Sequence, residues 1–99
     1  MIKRDGERML VSGALTLANV AAVLREGSAV IGEGVRTVDL AEVGELDSSA
    51  LALMLAWMRE AKRQNRELQF ANVPQGLTTI ARLYGVADLL PASPAHSHH

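Results

Sequence analysis

The apolar positions of this chain alternate in some stretches and recur every three to four residues in others, and the two rhythms take turns. Met9 to Leu15 is a short apolar stretch interrupted by Gly13. It predicts two short strands around a tight turn, because glycine reaches backbone angles that other residues avoid. Thr16 then offers a hydroxyl to cap a helix. Leu17, Val20, Ala21 and Leu24 follow at the spacing of one helical face, with Gly27 as the expected stop. Val35 to Leu40, rich in β-branched residues, predicts a strand, and Ala41 to Leu46 a loop. Asp47-Ser48-Ser49 opens the longest helix, expected to reach about Asn65. Glu67 to Ala71 reads as another strand. Pro74 begins a last helix carrying Leu77, Ile80, Ala81 and Tyr84 on one face and ending at Gly85.

The predicted order is β-β-α-β-α-β-α. Strands alternating with helices imply one α/β domain, a mixed sheet with helices packed on it, and right-handed crossovers between its parallel strands. The chain has 99 residues, 48% apolar and 21% charged, which suits a single soluble domain with one modest core. The body is expected to span residues 7–91. Residues 92–99 lack large apolar side chains and are expected to be a poorly ordered native tail or a tag remnant.

Charge and chemistry narrow the function classes. The formal net charge of −1 gives no electrostatic case for nucleic acid or an anionic membrane. No apolar run reaches the ~18 residues needed to cross a bilayer, so no membrane insertion is expected. The start, Met1-Ile2-Lys3-Arg4-Asp5-Gly6-Glu7, is too polar for a secretory signal, and a cytoplasmic location is expected. There is no cysteine, and His96, His98 and His99 all lie in the tail. The body therefore offers no Ser-His-Asp or Cys-His arrangement, and no catalytic residue is assigned. The tail histidines are not read as a metal site, since ligands must be held in fixed geometry. No phosphate-binding loop is present, Gly32-Glu33-Gly34 reads as a turn, and no cofactor is expected.

The segment Asp47-Ser48-Ser49-Ala50-Leu51 carries two readings. Its short polar side chains cap exposed amides of the first helical turn. The same helix N-terminus favours negative charge, so Ser48 or Ser49 is also a candidate phosphorylation site and partner contact. The helix that follows is apolar around much of its circumference. Leu51, Met54, Leu55 and Met58 make one stripe, and Ala50, Leu53 and Trp57 an adjacent one. The second stripe is either a wide core contact covered by the last helix or a partner surface anchored by Leu53 or Trp57. The basic residues Arg59, Lys62, Arg63 and Arg66 read as a solvated face complementing the helix dipole.

The strand Val38-Asp39-Leu40, a loop, and then Asp47-Ser48-Ser49-Ala50-Leu51 resemble the hallmark of the STAS domain, with Ala50 in place of the usual glycine. The resemblance runs from about Glu7 to Pro91, and the family's element order agrees with the one predicted. It implies a non-catalytic domain that works by binding a partner protein. One branch is the anti-sigma factor antagonists, in which a serine at the position of Ser48 is phosphorylated by a partner kinase. Another is the small STAS subunit of the Mla-type phospholipid ABC transporter, which docks on the cytoplasmic ATPase. Leu51-Ala52-Leu53-Met54-Leu55 and the segment Leu77 to Val86 with Leu89-Leu90-Pro91 resemble the transporter branch; Asp47-Ser48-Ser49 resembles the antagonists. The implied docking surface combines Asp47, Ser48, Ser49, Ala50, Leu53 and Trp57 with Thr78, Thr79 and Arg82 of the last helix.

Overall fold

In the computed structural model, which describes residues 1–86, the chain opens with a hairpin. β1 (Ile2–Asp5) and β2 (Arg8–Leu15) run antiparallel, with Asp5 opposite Arg8. The first of the two loop residues is Gly6, at φ 66°, the positive angle that a glycine-first hairpin turn demands. The turn expected at Gly13 therefore lies at Gly6, and β1 pairs into the sheet ahead of the expected boundary at residue 7. Gly13 sits inside β2 instead, next to a shift in the register of that strand against its neighbour.

The first helix, α1, spans Val20–Gly32. It begins later than the periodicity predicts. The Thr16 carbonyl accepts from the N–H groups of Asn19 and Val20, and the Asn19 side chain accepts from the Thr16 N–H and donates to the Ala14 carbonyl. This polar turn replaces the expected Thr16 cap and leaves Leu17, expected on the buried face, 78% exposed. α1 also runs through Gly27 without stopping. A Cβ at position 27 would lie 2.3 Å from Trp57 Cζ2, so this glycine is where another helix touches α1.

β3 (Thr37–Leu46) includes the segment expected to be a loop. Of its residues 42–46, Glu42, Gly44 and Glu45 are exposed while Val43 and Leu46 are half-buried against the core, and the segment pairs with β2 from Ser12 to Leu15, after extra residues on β3 shift the register. β3 leads into α2 (Ser48–Arg63), then β4 (Gln69–Ala71) and α3 (Gln75–Leu83). The sheet order is β1-β2-β3-β4, with β2, β3 and β4 parallel. This is the single α/β domain and the element order that the sequence predicts.

Two right-handed crossovers moving the same way across a sheet put their helices on one face, and α1 and α2 do pack against each other. Met9, Val11, Val38, Leu40 and Phe70 point into that layer and are buried. Their neighbours Arg8, Leu10, Thr37, Asp39 and Gln69 alternate onto the opposite, partly exposed face. There Asp39 accepts from Arg8, Asn72 and the Ala41 amide. Partial burial pushes its carboxyl up, but these donors outweigh it and hold the group below the usual carboxylate range.

Ala50, Leu53 and Trp57 belong to the core, at 0%, 2% and 0% exposure. They are therefore not available as partner contacts. The cover over Trp57 is α1 rather than the last helix: the ring lies on Gly27, and its indole N–H donates to the Leu24 carbonyl at 3.3 Å. α3 buries Leu77 and Ala81 and packs on α2. Tyr84, expected on the same inner face, lies just past the end of α3 and is 63% exposed. The tail with His96, His98 and His99 lies outside the described residues.

Candidate functional site

The start of α2 lies where β2 and β3 end, the side of a parallel sheet at which binding sites usually form. Asp47 fixes it. Its N–H donates to the Leu15 carbonyl at 3.2 Å, tying it to the end of β2. Its side chain then makes two bonds in different directions. Oδ1 accepts from the Ser49 N–H at 2.8 Å, which is the helix cap the sequence predicts. Oδ2 accepts from the Leu17 N–H at 3.1 Å. One carboxylate thus fastens the turn before α1 to the first turn of α2. The Leu17 amide and then the Ser49 amide hold the Asp47 carboxyl below its usual range against a smaller upward push from burial, and the Ser49 hydroxyl adds the least.

This clasp leaves Ser48 exposed at the helix start and Ser49 half-buried. No acidic side chain occupies the first turn of α2, so the partial positive charge of the helix start is met by Asp47 alone. A shallow groove of about 360 Å³ opens beside Ser48. It is lined by Ser48, Ser49, Leu51, Ala52 and Leu55 of α2 and by Tyr84. The backbone bond from Leu17 to Asp47 brings the exposed Leu17 side chain to the same end of the molecule. The result is a small hydroxyl between apolar groups that the fold leaves uncovered. Such a surface suits contact with another protein.

The expected site residues divide. Asp47, Ser48 and Ser49 lie together at the start of α2, whereas Ala50, Leu53 and Trp57 are buried. Thr79 and Arg82 are exposed and Thr78 is half-buried, its hydroxyl donating to the Pro74 carbonyl. None of these three lines the groove; Tyr84, just past the end of α3, does so instead. Tyr84 and Leu17 are candidate site residues that periodicity did not reveal. Both lie beyond helix ends, where a residue continues the spacing of a buried face without continuing the helix. Among the described residues, no cluster of His, Cys, Asp or Glu could hold a metal ion, and no helix is long and apolar enough to cross a membrane.

The comparisons with known proteins agree with this architecture. A family profile described as "Mlab, STAS domain" matches residues 2–91. The chain is 32% identical, over 89 residues, to the intermembrane phospholipid transport system binding protein MlaB of Escherichia coli strain K12, covering 89% of this chain and 91% of that one. A chain of the Acinetobacter MlaFEDB complex in an ATP-bound conformation superposes with a TM-score of 0.79 at 24% identity, covering 94% of this chain and all of that one. The anti-sigma factor antagonist SpoIIAA in its unphosphorylated form superposes at 0.70 and 17% identity, covering 94% and 86%. At these identities the two structures speak for the fold. With its matching profile and its relative similar over nearly full length, the chain belongs to the MlaB-type STAS domain family.

Proposed function

We propose that this protein is the non-catalytic STAS subunit of an Mla-type phospholipid ABC transporter that maintains outer-membrane lipid asymmetry. In this reading it binds and supports the cytoplasmic ATPase through the surface around Ser48, and it is held at the inner membrane by that partner. The observation that carries the reading is the 32% identity to MlaB across 91% of that protein's length. The geometry supports it. Ser48 is small and exposed, Tyr84 shares its groove and Leu17 is exposed at the same end of the molecule, so a partner can approach closely there. A charge placed at Ser48 would lose its water on docking, which is costly unless the partner supplies Arg or Lys.

The test is docking to the ATPase–permease complex by pull-down and titration. Ser48→Asp is expected to weaken docking by roughly tenfold or more, and Ser48→Ala to matter much less. Wild-type affinity for Ser48→Asp would remove Ser48 from the contact surface.

A second reading, an anti-sigma factor antagonist controlled by phosphorylation of Ser48, is favoured by one observation: Ser48 is exposed at a helix N-terminus, where phosphate is tolerated. Phosphate transfer to Ser48 from an anti-sigma factor kinase and ATP, together with failure to bind the ATPase, would make this the better account.

A further inference from the structure

Far from Ser48, on the C-terminal half of α2, a second concave surface faces α1. It is a groove of about 600 Å³ with Leu24 and Ser28 on the α1 side and Ala56 on the α2 side. Arg59, Glu60, Lys62 and Arg63 rim it. The charges of this rim are not balanced. Glu60, its one acid, is already taken by Arg63 and by Gln64, whose amide lies at 2.9 Å. Nearby Arg66 is also engaged, donating to the Ile31 carbonyl at 3.0 Å at the end of α1. Arg59 and Lys62 are exposed and meet no acidic partner among the described residues. The groove therefore presents two free cations beside an apolar floor, in a chain whose net charge is −1.

We infer that this groove binds a short acidic peptide segment of a partner protein, one that carries an apolar side chain between its carboxylates. The carboxylates pair with Arg59 and Lys62, and the apolar side chain rests on Leu24 and Ala56. The shape and the charge together select this occupant. Two free cations fall short of the cluster of about 4–8 that marks an anionic membrane surface. The rim has no aromatic side chain on which bases could stack. A lone inorganic anion would leave the apolar floor unused. The inference is independent of the function proposed for the Ser48 surface, since the two sites share no residue.

The molecule contains its own reporter. Trp57 is the single tryptophan, and its indole N–H is bonded to the carbonyl of Leu24, which lines the groove. An array of short peptides, with Leu or Phe between Asp and Glu residues, is titrated into the full-length protein while Trp57 emission is followed. Counterparts with Asn and Gln in place of the acids, and phosphatidylglycerol vesicles, are run beside it. Acidic members of the array are expected to shift the emission saturably and to weaken as salt is raised. The neutral counterparts, and the Arg59→Glu/Lys62→Glu variant with the acidic peptides, are expected to bind roughly tenfold more weakly or worse. Both substitutions are at the surface and leave the fold intact. Equal binding by the charge-reversed variant, binding by no acidic member of the array, or binding to the vesicles in preference to the peptides would each overturn the inference.

Discussion

Two contacts made by α2 differ in almost every respect. At its middle, Trp57 lies against Gly27 of α1, sealed from water, with a hydrogen bond from its indole N–H to the Leu24 carbonyl. At its start, Asp47 joins two turns through backbone amides beside an exposed serine and an apolar groove. The first contact is shape: it works because a side chain is missing at position 27. The second is polarity, and it works because one carboxylate has two lone-pair directions to offer. The difference separates stability from binding along a single helix. Packing at the middle sets where α2 sits, and the clasp decides what its start presents.

The comparison can be broken hardest at Trp57. Trp57→Ala is expected to cost ~3–5 kcal/mol in urea unfolding, the range for losing a fully buried aromatic. Gly27→Ala comes next. The added methyl meets a ring that is buried on every side, so ~1–3 kcal/mol is expected. Combining Gly27→Ala with Trp57→Phe should recover part of that loss, because the smaller ring vacates the space. A strictly additive double mutant would mean that the two residues do not press on each other.

Asp47→Ala should have a smaller effect, a fall of a few degrees in Tm at neutral pH, and its pH dependence identifies its cause. The Asp47 carboxyl is depressed in the folded state. Its contribution is therefore present above its unfolded value near ~3.9 and is lost as pH falls through the folded value. The Tm gap between wild type and Asp47→Ala should close on acidification below about pH 4. A gap unchanged in acid would show that packing, not the charged cap, is what the substitution disturbs. The smallest effect on stability is expected for Tyr84→Ala, within about 0.5 kcal/mol of wild type, together with weaker docking of the ATPase. An equal loss of stability would move Tyr84 from the binding surface to the scaffold.

The element order could be read from the sequence because each helix and strand keeps its own hydrophobic period. Asp47 was legible as a cap because a short acceptor before an apolar helix has few other uses. Other features depend on contacts that no local pattern encodes. Gly13 and Gly6 are alike as sequence, and only the pairing of Asp5 with Arg8 makes Gly6 the turn. Gly27 looks like a helix stop until Trp57 is seen to need its space. Residues 42–46 look like a loop because that end of β3 pairs only with β2, β4 having ended at Ala71. The apolar stripe with Leu53 and Trp57 suggests cover by the last helix, whereas Gly27 brings α1 onto Trp57 instead. The exposure of Leu17 and Tyr84 arises from helix ends that periodicity extends too far, by three residues before α1 and by one after α3.

The order of the strands has a consequence for how the molecule comes into being. In a sheet arranged β1-β2-β3-β4, every strand lies beside the one made just before it. As the chain emerges from the ribosome, each new strand finds its template already present and need not wait for a later one. The longest closures are single crossovers through α1 and α2, so the search is short and little strand edge stays open while synthesis continues. Gly6 stands at the head of this sequence. Among these four strands, the hairpin it permits can pair before β3 and β4 are made, and each of those then adds beside its predecessor.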